Sequence, residues 1–170
     1  MRLRHEFDEC FLPDGHDGRC MDPLYSHLDW SKYPVEPWGK VDDNLYVGSS
    51  RDEQPNYRDF QAVLTLWERA PHCPYIEEKR WHIKDGVELP PEEELQDSVW
   101  WVRARMDVGC SVLIRCQAGL NRSSWVAGHV MTTLGWKGSD SIDRIRSVRS
   151  ELALSNPYFH GDLINGIYHA

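Results

Sequence analysis

Apolar positions along this chain recur with two different periods, and the segments they mark alternate. The stretch NLYVGSS, residues 44–50, alternates apolar and polar side chains before closing on glycine and serine, which predicts a strand. DFQAVLTLW, residues 59–67, is a denser apolar run and predicts a second strand. In RWHIKDG, residues 80–86, Trp81 and Ile83 alternate with polar partners until Asp85-Gly86, a turn dipeptide, predicting a third strand followed by a loop. Ahead of all three, the residues up to about Gly39 show scattered Pro and Gly and no period (FLPDGHDGRC, SKYPVEPWGK). They are expected to form an irregular arm, dividing the chain into an arm over residues 1–40 and one domain over residues 41–170.

The second half turns helical. ELPPEEELQDSVWWVRARMDVG, residues 88–109, places prolines where a helix can begin, three glutamates in its first turn, and Leu95, Val99, Val102 and Met106 on one face. SVLIR, residues 111–115, is a short apolar run suited to a strand buried on both faces. Ala127, Val130, Met131 and Leu134 then recur at helical spacing until Gly135 breaks the pattern. Ser139 is expected to cap a further helix with Ile142, Ile145, Val148 and Leu152 inward, and SNPYFHGDLINGIYHA supplies a loop and a last short helix. Strands separated by helices predict an α/β fold, a mostly parallel central sheet flanked by helices on both faces.

Composition narrows the chemistry. The 170 residues suffice for one domain with its own core. Nineteen Lys and Arg stand against 27 Asp and Glu, a formal net charge of -8, which disfavours a broad basic face for nucleic acid or an anionic membrane. An anionic ligand must therefore be gripped locally. Neither a leader-like apolar stretch nor a membrane-length apolar run is present in the sequence. The five cysteines (Cys10, Cys20, Cys73, Cys110, Cys116) are odd in number and irregular in spacing, so a reducing, cytoplasmic setting is expected.

One stretch changes the picture. LIRCQAGLNRSSW runs from the buried strand through Cys116, a small polar loop, Arg122 and two serines into an apolar helix. Open α/β sheets bind ligands beyond the carboxyl ends of their strands, where a loop enters a helix. Such a loop offers inward backbone N–H groups, the positive end of a helix dipole, and a glycine, Gly119, that permits tight curling. Together these suit a tetrahedral dianion held by the amides of Gln117, Ala118, Gly119, Leu120, Asn121 and Arg122. The Arg122 guanidinium adds a planar fork for two phosphate oxygens. The same donors would favour a thiolate at Cys116, and the Ser123 hydroxyl can hydrogen-bond to the sulfur and ease its departure. A cysteine followed six positions later by an arginine is weak by itself; the strand before, the interior glycine, the hydroxyl after and the helix beyond supply the specificity.

CQAGLNRSS resembles the cysteine-dependent protein tyrosine phosphatase superfamily, and the chain is most similar to its dual-specificity branch from about Asp42 onward, with NLYVGSS, IKDG and IRSVRSELALSNPYF as further matches. The resemblance implies hydrolysis of phosphate monoesters on phosphoproteins through a phospho-cysteine, without cofactor or metal. It implies a general acid upstream of the cysteine; Asp85 fits by position, with Glu88 next and a plain turn role for Asp-Gly as the bland alternative. The catalytic set is thus Cys116, Arg122, Asp85 and Ser123. A phosphorylated protein or peptide is the expected partner, and the working unit is expected to be a monomer that engages neither nucleic acid nor membrane.

The family usually carries histidine immediately before the cysteine; here the residue is Arg115, which either replaces those hydrogen bonds or turns away. The rival readings are a phosphate-binding module without turnover, and an RNA 5′-phosphatase or lipid phosphatase using the same loop, which the acidic balance and lysine-free loop disfavour. His5, Cys10, His16, Cys20 and His27 match no paired metal-ligand spacing. His129 is read as a packed or solvated histidine, Arg144, Arg146 and Arg149 as a charged helix face, and Cys110 as a bystander rather than a disulfide partner of Cys116.

Overall fold

The computed structural model describes residues 27–50 and 57–166. In chain order the elements are β1 (Trp38–Asp42), β2 (Leu45–Ser49), β3 (Ala62–Thr65), β4 (Glu77–Arg80), α1 (Glu92–Asp107), β5 (Val112–Cys116), α2 (Arg122–Thr133), α3 (Gly138–Val148) and α4 (Pro157–Asn165), with short 3-10 turns at Trp30–Lys32 and Tyr57–Asp59. The strands form one sheet in the order β1-β2-β5-β3-β4. Only the β1–β2 pairing is antiparallel; β2–β5, β5–β3 and β3–β4 are parallel. This is the α/β, mostly parallel sheet that the alternation of periods predicts.

The strand VLIRC holds the centre because all five of its residues are buried, leaving no face for water. Its side chains alternate between two apolar clusters. Val112, Ile114 and Cys116 join the larger one, with residues of all four α-helices. Leu113 joins the smaller, with Tyr57, Phe60, Val63 and Cys73. The second sheet face is therefore covered, among the described residues, by the Tyr57–Asp59 turn and its neighbouring loops, while the α-helices share the first. At the centre of the larger cluster Trp125 is fully buried, its ring stacked on Phe159 at 4.8 Å, and its indole N–H donates to Asp162 Oδ2 at 2.7 Å.

Three local expectations are corrected. The segment read as irregular to Gly39 ends on β1, an edge strand joined to β2 through Asp43 and Asn44, with Asn44 at φ +59°, a left-handed turn position that asparagine tolerates. Residues 1–26 of that arm lie outside the described residues. The third strand lies upstream of RWHIKDG, at Glu77–Arg80; its charged composition suits a sheet edge, where side chains bond outward as Lys79 does to Asp97 and Arg105 to Glu77. Trp81 and Ile83 follow it, donating backbone N–H groups to Thr65 O at 2.9 Å and Leu66 O at 3.3 Å. Ser139 does not cap α3: Lys137 occupies that position, without a side-chain cap, and Ser139 sits inside the first turn.

The helix periodicity holds elsewhere with small shifts at the ends. Leu134 is the C-cap of α2 and is exposed, and Leu152, though buried, lies beyond α3. The last helix carries its own signals: Asn156 Oδ1 accepts from the N–H groups of Tyr158 and Phe159, Pro157 occupies the first turn, and Gly166 ends the helix at φ +64°.

Candidate active site

Central placement of β5 carries Cys116 to the carboxyl edge of the sheet between two parallel neighbours. Ser49 at the end of β2 stands level with Cys116, and Thr65 at the end of β3 with Arg115. The turn after β2 then anchors the start of the loop. Ser50 Oγ donates to Cys116 O at 2.9 Å and Ser50 N to Gln117 O at 3.2 Å. At the far side, Leu154 N donates to Leu120 O at 2.9 Å. Between these ties the loop curls back on the sulfur: Gly119 N donates to Cys116 Sγ at 3.2 Å, and Ser123 Oγ lies 3.3 Å from the same atom.

Gly119 is required by that curl. It sits at φ +70°, and a Cβ there would lie 2.6 Å from the carbonyl carbon of Gly48 and 2.8 Å from an Arg149 nitrogen. α2 begins at Arg122, so its positive end opens toward the loop. Arg122 is buried, and its Nη1 donates to Ile83 O at 3.2 Å, tying the guanidinium to the segment that leads into the Asp85 loop.

The Asp85 carboxylate meets this loop through two amide side chains. Asn121 Nδ2 donates to Oδ2 at 3.1 Å, and Asn156 Nδ2 donates to Oδ1 at 2.9 Å and to Gly86 O at 3.0 Å. The two asparagines are themselves coupled, Asn156 N donating to Asn121 Oδ1 at 3.0 Å. Asp85 thus stands within one hydrogen bond of the cysteine loop, whereas Glu88 is solvent-exposed beside a cleft of about 420 Å³ that runs along His82, Lys84, Val87 and Leu89. Asn156, which the sequence reading does not single out, joins Asn121 in bringing the two loops together.

Arg115 does not serve the loop. Its side chain, fully buried, leaves β5 on the opposite face, where Nε donates to Thr65 Oγ1 at 2.9 Å, Nη2 pairs with Glu78 Oε2 at 3.0 Å, and further bonds reach Tyr57 Oη and Pro71 O. Of the two roles open to it, it turns away, into a buried ion pair rather than into water. Burial drives the Glu78 carboxyl up, but hydrogen bonds from Thr65, His72 and Arg115, with the charge of Arg115, leave it below the ordinary glutamate value. Beside them burial pushes the Cys73 thiol up to about 11.

Of the three arginines read as a charged face, all bond backbone carbonyls: Arg144 to Val41 O, Arg146 to Ala153 O, and Arg149 to Gly119 O and Glu36 O. Arg149 is buried against the cysteine loop, a placement that its helical register alone does not reveal. His129 is packed, 2.7 Å from Asp162 Oδ2 within the core. Cys110 lies two residues before β5 and Cys116 at its end, at opposite ends of that extended strand. Both are free thiols. Among the described residues no group of three His, Cys, Asp or Glu side chains could hold a metal ion, and no helix is long and apolar enough to cross a membrane.

Several polar atoms around the loop are buried without a hydrogen-bond partner, among them Gln117 Oε1, Ser124 Oγ and an Arg149 Nη2. Each costs about 1–3 kcal/mol.

Comparison with known proteins follows the same lines. The family model "Dual specificity phosphatase, catalytic domain" matches residues 45–165. No curated protein matches the sequence. Among solved structures, human DUSP28 is 19% identical, with a TM-score of 0.65 over 79% of this chain and 98% of its own. Tk-PTP in its active form is 23% identical, with a TM-score of 0.63 over 78% and 99%. DUSP15 is 23% identical, with a TM-score of 0.65 over 75% and 85%.

Proposed function

The chain belongs to the dual specificity phosphatase catalytic-domain family, and from that premise we propose that it hydrolyses phosphate monoesters on phosphoproteins through a phospho-cysteine. The observation that carries the reading is the convergence on one sulfur: Gly119 N–H and Ser123 Oγ both lie within hydrogen-bond reach of Cys116 Sγ, with Asp85 held one asparagine away.

In this reading the Cys116 thiolate attacks phosphorus in line with the ester oxygen. The S–P bond forms as the P–O bond breaks, and Asp85 gives its proton to the departing oxygen. Arg122 and the amides of Gln117, Ala118, Gly119, Leu120, Asn121 and Arg122 bind the three equatorial oxygens, whose charge they neutralise. Asp85, now a carboxylate, takes a proton from water as it attacks, the S–P bond breaks, and the Ser123 hydroxyl hydrogen-bonds to the leaving thiolate. Arg122 Nη1 on Ile83 O supports this arrangement, because the same residue would grip phosphate and fix the start of the Asp85 loop.

Turnover of p-nitrophenyl phosphate tests the reading. Cys116→Ser is expected to abolish it and Asp85→Asn to slow it, leaving a form that traps phosphorylated substrate in a pulldown. Full activity in Cys116→Ser, or a requirement for added metal, would overturn the mechanism. Tungstate binding without turnover by the parent protein would replace it with a phosphate-binding module.

A further inference from the structure

The loop is held from outside by a residue that takes no part in the chemistry above. Arg149 follows the last residue of α3 and is 6% exposed. Its Nη1 donates to Glu36 O at 2.8 Å and its Nε to Gly119 O at 3.3 Å, while an Nη2 is buried without a partner. Gly119 is the residue whose N–H reaches Cys116 Sγ. The guanidinium lies so close to the loop that a Cβ on Gly119 would meet its Nη2 at 2.8 Å. Burial draws the Arg149 pKa down, and the charges of Tyr33 and Cys116 act in the opposite direction, so sulfur and guanidinium influence one another electrostatically.

The residue before the nucleophile is spent on the other face of the sheet, where Arg115 pairs with Glu78. Ordering of the loop must come from elsewhere. We propose that Arg149 is the positioning residue of the cysteine loop: spanning Glu36 O and Gly119 O, it holds Gly119 so that the N–H of that residue faces the sulfur, and it adds a second buried positive charge behind the oxyanion site. Tyr33 Oη, donating to Ala118 O at 2.8 Å, braces the preceding residue from the same N-terminal segment. The planar fork matters, because one side chain has to reach two carbonyls in fixed directions.

This inference rests on Cys116 as nucleophile, and its test separates the two. Tungstate affinity by calorimetry and the rate of Cys116 alkylation by iodoacetamide, followed by peptide mass spectrometry, are measured at pH 6.5 and well below the melting transition. Neither readout needs turnover. Arg149→Met is expected to weaken tungstate binding and slow alkylation by roughly tenfold each, the usual scale for losing a charged hydrogen-bond donor. Arg149→Lys, which keeps the charge but not the fork, is expected to recover part of the tungstate affinity while alkylation stays slow, and it carries the test alone should the methionine variant not fold. A folded variant with both readouts within twofold of the parent would overturn the inference and reduce Arg149 to a stabilising contact, whatever the Cys116→Ser result says about the mechanism.

Discussion

Asn156 donates its side-chain N–H to Asp85 at 2.9 Å while its side-chain oxygen caps α4, so one residue joins the proposed proton donor to the start of a helix. The two functions can be separated. Asn156→Asp keeps the oxygen that accepts from Tyr158 N but turns an acceptor toward Asp85. It is expected to lower kcat by about tenfold with a small change in melting temperature. Asn156→Ala loses both roles and should cost about 1 kcal/mol of stability from the cap in addition. Thermal melts alongside p-nitrophenyl phosphate kinetics distinguish them.

Ser123 Oγ lies 3.3 Å from Cys116 Sγ, and in the proposed mechanism it assists thiolate departure rather than attack. Ser123→Ala is therefore expected to slow hydrolysis of the phospho-cysteine by about 10- to 100-fold, on the scale of one lost transition-state donor, and so to convert steady turnover into a burst of p-nitrophenol. Rapid-mixing kinetics would show it. A linear time course with unchanged kcat would remove Ser123 from the mechanism.

Gly119 and Gly86 make a matched pair of substitutions. Alanine at Gly119 would have to adopt φ +70° and lie 2.6 Å from the Gly48 carbonyl carbon, which is backbone and cannot yield without moving β2. Gly119→Ala is expected to lose most activity and to lower the melting temperature by several degrees. Nothing lies within 4 Å of a Cβ at Gly86, and Gly86→Ala should melt and turn over like the parent.

The Arg115–Glu78 pair predicts an acid-sensitive fold. Glu78 is below its reference value of 4.5 when folded, so the unfolded chain binds its proton first. The stability it contributes is complete above about pH 4.5 and is lost as pH falls through the lower, folded value. Glu78→Gln should flatten the melting temperature over that acidic window. Arg115→Met, which removes one partner of Glu78 but leaves Thr65, His72 and Arg80 around the carboxylate, should cost about 1–3 kcal/mol at neutral pH. Since Arg115 faces away from the loop, iodoacetamide should still modify Cys116 in the folded variant within a few-fold of the parent rate.

Local chemistry made much of this protein legible from its sequence. The buried run before Cys116 fits a central strand, because no face of it tolerates water. The glycine, the arginine and the helix that follow mark a candidate anion-binding loop through short-range geometry, and the Asp-Gly turn ends the segment carrying Asp85. What the sequence left open were matters of long-range contact. β1 and β4 were hidden or displaced because edge strands draw their stability from pairing and surface ion pairs rather than from an apolar pattern. The direction taken by Arg115 depended on strand alternation and on Glu78, 37 residues away in the chain. The sequence offers Arg149 as part of a charged helix face and does not single out Asn156, whereas the structure buries Arg149 just beyond α3 and makes Asn156 the cap of α4. Only the packing of α3 and α4 against α2 turned one against Gly119 and the other against Asp85, since side-chain hydrogen bonds between segments distant in the chain leave no periodicity to read.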